Sequence, residues 1–290
     1  MPQPRKQFGQ HWLRSEKALS QIVAAAELRK SDRAEHTAQD IPQNNTLQSN
    51  IRSDRVLEIG PGTGILTHQL LSQAQSVVAV EIDRDLCERL TKKLGDIDNF
   101  LLLQGDFLSL ELETLLNPFP DFQNPNKVVA NIPYNITGPI LEKLLGTIAH
   151  PAPTPFDLIV LLVQKEIALR LNSKAGSKHF GALSVRVQYL AECEFICDVP
   201  AKAFQPPPKV DSAVIRLRPR SLEQPAHNPA QLETLLKLGF SSKRKMLRNN
   251  LQSVIGRDRL SQLLEELGVN SQSRAEDLSV NQWVALSNKL

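Results

Sequence analysis

Short apolar runs alternate with helical patterns along the first part of the chain. Each run has the length of a strand, and the stretches between the runs carry apolar residues at helical spacing. Strands that alternate with helices predict a parallel sheet with helices packed on it. The five runs are 55–59, 77–82, 100–104, 127–131 and 158–163.

Other patterns flank this alternation. Before it, Ser15 is placed to cap a helix with apolar residues at 19, 22, 23 and 26. After it, runs 192–199 and 212–217 predict two strands, and the Pro-rich stretch 206–208 between them is too short for a crossover helix. We therefore expect this pair to be antiparallel.

These patterns predict two domains. Residues 1–220 are expected to form a Rossmann-like α/β domain, whose sheet is mostly parallel with one antiparallel edge strand. Beyond Arg220 the apolar patterns are all helical, with a helix end at Gly268, so residues 221–290 predict a small all-helical domain. The stretch 31–53 is polar and predicts an exposed loop or insertion.

The composition is that of an ordinary globular protein. The chain has 290 residues, 41% of them hydrophobic, and a net charge of +3, which permits an anionic partner without requiring one. The longest apolar run, 158–163, is too short to span a membrane, and the amino terminus lacks the apolar core of a signal peptide. We therefore expect a cytoplasmic protein without a membrane segment.

The cysteines give no sign of a disulfide framework or a metal site. Their number is odd, which favours reduced thiols. Cys193 and Cys197 lie in an apolar run without a second pair of ligands nearby, so buried strand cysteines are favoured over metal ligands. No metal is expected.

A glycine turn follows the strand 55–59 and leads into a helix from Ile65. Its glycines, Gly60, Gly62 and Gly64, let the backbone approach a ligand closely. A dinucleotide site spaces its glycines as G-x-G-x-x-G, whereas this turn is G-x-G-x-G, which favours the nucleoside site of a methyltransferase over NAD. A βα turn without a ligand is the alternative.

Two carboxylates follow the next two predicted strands. Glu81 ends the strand 77–82 and is placed to accept hydrogen bonds from both hydroxyls of a ribose. Asp106 follows the strand 100–104 and is placed to receive an adenine amine, with Phe107 packed nearby. Because ligands of open α/β sheets bind at the carboxyl ends of the strands, the three strand ends together predict one cofactor site.

The sequence Asn131-Ile132-Pro133-Tyr134 at the end of the strand 127–131 indicates which group accepts the methyl group. An adenine amine is a poor nucleophile, because its lone pair is delocalised into the ring. The Asn131 side-chain oxygen and the Ile132 carbonyl are placed to accept from that amine and localise the pair. Pro133 holds the preceding residue extended, and Tyr134 offers a ring for stacking.

Two groups of cations are candidates for contact with RNA. Cations near phosphate give affinity but no choice of sequence, and a solvated basic face is the alternative. Four cations fall within six residues at a predicted helix start: Lys243, Arg244, Lys245 and Arg248. A second cluster is Arg5 with Lys6.

Together these motifs resemble the ribosomal RNA adenine dimethyltransferase family, over nearly the whole chain. The stretches 5–13, 164–166, 204–212 and 240–244, the last taken as helical, add to the resemblance. It implies a class I methyltransferase with S-adenosylmethionine as methyl donor. It also implies a metal-free monomer that transfers two methyl groups to each of two adjacent adenosines in the 3′-terminal hairpin of 16S rRNA, on the small ribosomal subunit.

The resemblance assigns further roles. An N-terminal motif covers the cofactor in this family, which adds His11 and Leu13 to the cofactor residues Gly60, Gly62, Glu81, Asp106 and Asn131. Family members usually have Asn and Phe where this chain has His11 and Trp12, although an imidazole can still donate or accept a hydrogen bond. Phe204 matches an aromatic residue that closes over the target base, and a buried hinge residue fits that position equally well.

Two other functions are compatible with the same fold. One is a 23S rRNA methylase that confers macrolide resistance, against which the C-terminal helices and the stretch 204–212 argue. The other is a nucleic-acid-binding relative that has lost catalysis, against which Glu81, Asp106 and the stretch 131–134 argue.

Overall fold

The computed structural model describes residues 4–5, 8–29 and 53–290. The predicted insertion 31–53 therefore lies outside the described residues except for Ser53, and Lys6 lies outside them as well. The described chain divides into two compact units. The first comprises 1–135, 156–162 and 199–209, and the second comprises 136–155, 163–198 and 210–290. The predicted domain boundary at 220 remains a prediction.

Nine strands are present in the described residues. They are β1 (Trp12–Leu13), β2 (Arg55–Ile59), β3 (Ser76–Glu81), β4 (Phe100–Gln104), β5 (Lys127–Asn131), β6 (Leu158–Gln164), β7 (Ala191–Val199), β8 (Phe204–Gln205) and β9 (Ser212–Pro219). All seven predicted strands are confirmed, with ends that differ by two residues at most.

Seven strands form one sheet in the order β4-β3-β2-β5-β6-β9-β7. The pairs β3/β4, β2/β3, β2/β5 and β5/β6 are parallel, as predicted. β7 and β9 are neighbours, also as predicted. β1 and β8, which the apolar pattern did not predict, form a separate antiparallel pair in which Leu13 lies opposite Phe204.

Eleven α-helices are present in the described residues. They are α1 (Glu16–Ala25), α2 (Ile65–Gln73), α3 (Arg84–Leu94), α4 (Leu112–Leu116), α5 (Thr137–Leu145), α6 (Lys165–Leu171), α7 (Ala182–Leu190), α8 (Pro229–Gly239), α9 (Leu247–Asn250), α10 (Arg257–Glu266) and α11 (Val280–Asn288). Ser15 caps α1 as predicted, because its Oγ accepts from the backbone nitrogen of Ala18. None of the described helices is long and apolar enough to cross a membrane.

The first unit buries the strands β2, β3 and β5 almost completely. These strands are parallel, so their carboxyl ends reach one edge of the sheet, where Ile59, Glu81 and Asn131 end them. At the opposite edge, the buried Lys127 ammonium lies 2.8 Å from the Asp54 carboxylate and donates to the carbonyls of Ala26 and Glu27. Both charges are buried, and each has a partner.

The regular elements after Arg220 are helices, as predicted, and they belong to the second unit. Trp283 of α11 is fully buried and packs against Phe240 at a ring distance of 5.6 Å. The predicted helix end at Gly268 is confirmed, since this glycine has a φ of +68° just after α10.

One helical prediction is wrong. The stretch 240–244, taken as helical, is a turn between α8 and α9. Side chains hold this turn: Asn250 donates to the carbonyls of Gly239 and Ser242, and the Ser241 hydroxyl donates to the carbonyl of Leu238. These hydrogen bonds satisfy carbonyls that a continuing helix would otherwise use.

The expected burial of two cysteines is also wrong in part. Cys193 and Cys197 lie in β7, as predicted, but both are half-buried. The exposed residues of β7, Glu192, Glu194 and Asp198, lie on one face of the strand, which is typical of a strand with one open face. Among the described residues, no cluster of three His, Cys, Asp or Glu is placed to hold a metal.

Candidate active site

The glycine turn follows β2 directly and leads into α2. Gly60 and Gly62 have φ values of +69° and +60°, which residues with a Cβ rarely adopt. A Cβ on Gly62 would also lie 3.2 Å from Cδ1 of Trp12, closer than side chains normally pack. The turn therefore requires glycine and presents bare backbone at the carboxyl edge of the sheet.

Glu81, at the end of β3, joins the glycine turn to the start of α3. Its Oε2 accepts from the backbone nitrogen of Gly62 at 3.1 Å, and its Oε1 accepts from the backbone nitrogen of Asp83 at 2.9 Å. Burial raises the pKa of Glu81, and these two donors oppose the rise. Each oxygen keeps a second lone pair, so the carboxylate retains acceptors for a ligand hydroxyl.

Asp83 ties the N-terminal segment to the same edge of the sheet. Its Oδ2 accepts from the Gln10 side chain at 3.0 Å, and its Oδ1 lies 3.2 Å from the Arg5 guanidinium. Arg5 also pairs with Asp85. Arg5 was predicted to contact RNA, and here its charge faces two carboxylates, so a phosphate would have to compete with them.

His11 contacts three other residues of the first unit, namely Tyr134, Pro206 and Asn131. Its ring stacks on Tyr134 with centroids 5.8 Å apart and an interplanar angle of 18°. Its Nδ1 lies 2.8 Å from the carbonyl of Pro206, which can only accept, so Nδ1 carries the proton. The backbone carbonyl of His11 in turn accepts from Nδ2 of Asn131 at 3.1 Å.

The Asn131 side chain is oriented by that last contact. The amide uses its donor end on His11, which leaves the acceptor end, Oδ1, for a substrate amine. Asn131 and Tyr134 are both half-buried, as are Pro133 and His11, and Ile132 is buried. The structure therefore brings the predicted acceptor oxygen and the predicted stacking ring together at the end of β5.

Asp106 stands at the third strand end. It is exposed, and its Oδ1 accepts from the backbone nitrogen of Leu108 at 3.0 Å in a local turn. The register of β3 and β4 places Glu81 opposite Gln104, two residues before Asp106. The predicted cofactor residues Gly60, Glu81 and Asp106 thus follow adjacent strands at one edge of the sheet.

Leu13 and Phe204 face each other across the β1/β8 pair. Both are buried, and Phe204 has an exposed fraction of only 3%. In this structure Phe204 therefore occupies the buried position that was the alternative to closure over a target base. Its role in closure remains a prediction.

Trp12 and Glu58 line a small cavity beside the glycine turn, and each has one buried polar atom that lacks a hydrogen-bond partner in the described part of the chain. These atoms are Nε1 of Trp12, a donor, and Oε2 of Glu58. Burial raises the pKa of Glu58 to about 8, the Thr67 hydroxyl opposes the rise, and the Glu81 carboxylate adds to it. Asn131 and Gly60 line the same cavity. Unsatisfied buried groups are costly, so this cavity is suited to a polar ligand.

The C-terminal cations belong to the second unit. Lys243, Arg244 and Lys245 are exposed in the turn before α9, and only Arg248 lies on that helix. The prediction that all four stand at a helix start is therefore wrong, because hydrogen bonds from Asn250 and Ser241 hold residues 240–244 in a turn. Lys243 donates to the carbonyl of Lys178 and lies 3.6 Å from Glu276.

Several contacts of the site were missed by the sequence analysis. The bonds of Glu81 to the glycine turn, of Asp83 to Gln10 and of Asn131 to His11 join residues far apart in sequence, so no local pattern carries them. The position of Asp83 carried one usable signal, because Asp before a helical pattern predicts an N-cap. The structure confirms that cap, with Oδ1 of Asp83 accepting from the backbone nitrogen of Asp85.

The whole chain, residues 1–290, matches the family model described as ribosomal RNA adenine dimethylase. It is 68% identical over 290 residues to "Ribosomal RNA small subunit methyltransferase A" of Nostoc punctiforme, which covers 100% of this chain and 96% of the relative. It is 57% identical over 287 residues to the protein of the same name from a Synechocystis strain, which covers 99% of this chain and 96% of that relative.

Two solved structures are similar over almost the full length. One is a dimethyladenosine transferase from Plasmodium falciparum, with a TM-score of 0.72, 27% identity, and coverage of 95% of this chain and 96% of that chain. The other is the 23S rRNA methyltransferase ErmE, with a TM-score of 0.69, 28% identity, and coverage of 96% and 99%. The predicted class I methyltransferase fold is thereby confirmed.

Proposed function

Because this chain belongs to the ribosomal RNA adenine dimethylase family, we propose that it dimethylates the exocyclic amines of two adjacent adenosines in the 3′-terminal hairpin of 16S rRNA. The family makes the chain an rRNA methyltransferase. The relatives at 57–68% identity are named for the small subunit, which favours that subunit over 23S rRNA. We place the reaction on the small ribosomal subunit in the cytoplasm, with the protein acting as a monomer.

The residues present fit S-adenosylmethionine as the methyl donor. The amino-acid end of this molecule carries a carboxylate and an ammonium group. The Trp12 and Glu58 side chains line one cavity beside Gly60, and among the described residues neither Nε1 of Trp12 nor Oε2 of Glu58 has a partner. The Trp12 N–H suits the carboxylate, and the Glu58 oxygen suits the ammonium. Glu81 is assigned to the ribose hydroxyls and Asp106 to the adenine amine. His11, Leu13 and Gly62 complete the proposed cofactor site.

The Asn131 side chain supports the proposed chemistry most directly. Its Nδ2 is held by the carbonyl of His11, so its Oδ1 is presented to an amine. Accepting from the adenine amine localises the nitrogen lone pair, and the Ile132 carbonyl is proposed to accept the second hydrogen. The bound cofactor supplies a methyl group on a positively charged sulfur. No base with a shifted pKa is required, because the amine nitrogen becomes strongly acidic as it gains the methyl group.

Aromatic residues are proposed to hold the target base. Tyr134 already has His11 stacked on its ring, which fixes the ring plane. We assign the remaining face of Tyr134 to the flipped adenine, with Pro133 setting the backbone in front of it. Phe204 is proposed to close over the base, which requires it to leave its buried place beside Leu13.

Exposed cations are proposed to bind the rRNA backbone. Lys243, Arg244 and Lys245 are exposed, and Arg248 is half-buried beside them. Arg5 and Lys6 are proposed as a second contact with the rRNA backbone. Arg5 is paired with Asp83 and Asp85, so its contact with phosphate would require those ion pairs to break. Such contacts supply affinity for phosphate and leave recognition to the shape of the rRNA.

A methyl-transfer assay that compares subunits tests the proposal. Labelled S-adenosylmethionine is incubated with the protein and with small or large subunits isolated from cells that lack adenosine dimethylation. We expect label in 16S rRNA, as dimethyladenosine, and none in 23S rRNA. Label in 23S rRNA would select the macrolide-resistance activity, and cofactor binding without transfer would select a non-catalytic relative.

A further inference from the structure

A second cavity, of about 440 Å³, is lined by Trp12 and by residues of the glycine turn, α2 and α3. Its size is within the range of roughly 300–1,000 Å³ that small-ligand sites occupy. Trp12, Gly62, Thr63 and Ile65 line both this cavity and the smaller cofactor cavity, whereas Asn131 and Glu58 line only the smaller one. We call the larger cavity the α3 pocket. It belongs entirely to the first unit.

The floor of the α3 pocket is apolar. Trp12 lines it together with Leu86 and Leu90 of α3, and all three side chains are buried. Ile65, the first residue of α2, keeps an exposed fraction of 41% although it is a large aliphatic side chain. The exposed area of Ile65 adds to the apolar lining of the pocket, and pockets for small ligands are lined mostly by apolar side chains.

The rim of the α3 pocket is positively charged. Arg14, Arg89, Lys92 and Lys93 line it, and no Asp or Glu among the described residues does. Arg89, Lys92 and Lys93 are spaced i, i+3 and i+4, which places them on one face of α3, and all three are exposed. Within the described ranges these three cations form no ion pair. Lys92 and Lys93 also suit the carboxyl end of α3, where cations stabilise a helix, but that role requires no cavity.

Apolar floor and cationic rim together select the ligand. An inorganic anion would use the rim and leave the floor exposed, whereas an apolar ligand would use the floor and gain nothing from four cations. A nucleotide carries a flat base and a phosphate one sugar apart, and so uses both. Bases inside a duplex are stacked and paired, so only an unpaired nucleotide can enter a pocket.

We propose that the α3 pocket binds an unpaired nucleotide of the RNA substrate other than the target adenosine. The base lies against Ile65 and the edge of Trp12, and the backbone phosphates lie beside Arg89, Lys92 and Lys93. This inference rests on the proposed function in one respect, namely that the substrate is RNA. It adds a second RNA contact to the first unit, separate from the corner at Asn131 and Tyr134.

Charge variants test the phosphate contacts. The neutral variant is Arg89→Gln, Lys92→Gln and Lys93→Gln combined, and its matched control is Arg89→Lys, Lys92→Arg and Lys93→Arg, which keeps every charge. Affinity for a fluorescein-labelled single-stranded RNA is measured from 50 to 300 mM salt. The neutral variant should bind at least tenfold more weakly, and its salt slope should fall by about 2, at roughly 0.7 per lost contact. The control should keep the wild-type slope.

Ile65→Ser tests the base contact. It changes no charge, so we expect weaker RNA binding with an unaltered salt slope. Affinity for S-adenosylhomocysteine is measured in all variants, to exclude damage to the smaller cavity. If the neutral variant binds RNA as tightly as wild type, or if only the charge variant loses affinity while Ile65→Ser does not, the nucleotide pocket is refuted. Because this readout is binding to RNA alone, it is independent of whether small subunits are methylated.

Discussion

The side chain of Asn131 donates a hydrogen bond to the backbone carbonyl of His11 across 120 positions of sequence. The same histidine stacks on Tyr134, three residues after Asn131. His11 therefore contacts the residue proposed to polarise the substrate amine and the residue proposed to hold its base. Because both contacts are made by one histidine, the geometry of the acceptor corner depends on the N-terminal segment as much as on β5.

Asn131→Ala should abolish methyl transfer but leave cofactor binding largely intact. The variant removes the oxygen proposed to accept from the adenine amine, and loss of one such contact typically costs 100- to 1,000-fold in rate. Single-turnover transfer to small subunits measures the rate, and S-adenosylhomocysteine binding measures the affinity. Asn135→Ala, at an exposed position four residues on, is the control. Near-normal turnover by Asn131→Ala would refute the assigned role.

Glu81→Gln should weaken cofactor binding by at least tenfold. An amide at this position offers one acceptor oxygen instead of two, so it cannot keep both backbone bonds and also bind a ribose. Calorimetric titration with S-adenosylhomocysteine gives the affinity. Glu88→Gln, which alters an exposed carboxylate on α3, should bind as wild type does. Equal affinities for the two variants would remove Glu81 from the cofactor site.

Trp12→Phe should weaken binding of the cofactor's amino-acid end without changing binding of its nucleoside end. The variant deletes the unpartnered indole N–H and keeps an aromatic ring, so the free protein loses no hydrogen bond within the described structure. Affinity for S-adenosylhomocysteine should fall several-fold. Affinity for methylthioadenosine, which lacks the amino-acid end, should not change. An equal loss of affinity for both ligands would show that Trp12 supports packing of the site and does not recognise the carboxylate.

Glu58 should make folding stability decrease with increasing pH. Its pKa in the folded protein, about 8, lies above the ordinary value of 4.5, so the folded state holds a proton that the unfolded state has released. Its contribution to stability is therefore fully present below about pH 4.5 and is lost progressively up to about pH 8, by a few kcal/mol in total.

The variant Glu58→Gln removes this titration. Urea unfolding from pH 5 to pH 9 should show a smaller loss of stability in Glu58→Gln than in wild type. The difference between the two proteins should grow as the pH rises to about 8 and level off above it. Glu192→Gln, at an exposed carboxylate, is the control and should follow wild type. Parallel curves for all three proteins would show that Glu58 titrates normally.

Residues 30–52 should be replaceable by a short linker without loss of cofactor binding. Arg29 and Asp54 border this stretch and are hydrogen-bonded to each other twice, through Arg29 N to Asp54 Oδ2 at 2.6 Å and Asp54 N to the Arg29 carbonyl at 2.9 Å. This closure lies at the amino end of β2, whereas the candidate site lies at the carboxyl end. A four-residue Gly/Ser linker spans the gap. Loss of S-adenosylhomocysteine binding in a folded linker variant would contradict this expectation.

Local patterns predicted the strands and the residues at their ends well. The apolar runs are long enough to define β2 to β6, and a parallel sheet brings strand ends such as Glu81 and Asn131 to one edge without further information. The turn at 240–244 was not predictable in this way. Its conformation depends on the side chain of Asn250, which bonds back to Gly239 and Ser242.

The N-terminal part of the site was the least predictable from physical pattern alone. β1 has only two residues, Trp12 and Leu13, too few to show an alternation, and its partner β8 is almost at the other end of the first unit's sequence. The resemblance to the family singled out His11 and Leu13, but nothing in the local sequence indicated the contacts of His11 with Asn131 and Pro206.

The bond between His11 and Pro206, which spans 195 positions, has a consequence for synthesis of the chain. A nascent chain that has reached Asn131 already contains the glycine turn and the carboxylates of Glu81 and Asp106. Its first residues still lack their partners in β8 until Phe204 and Gln205 have left the ribosome. The proposed cofactor site is therefore completed late in translation. A truncated product ending before residue 204 would carry the parallel strands β2 to β6 but neither β9 nor a finished enzyme.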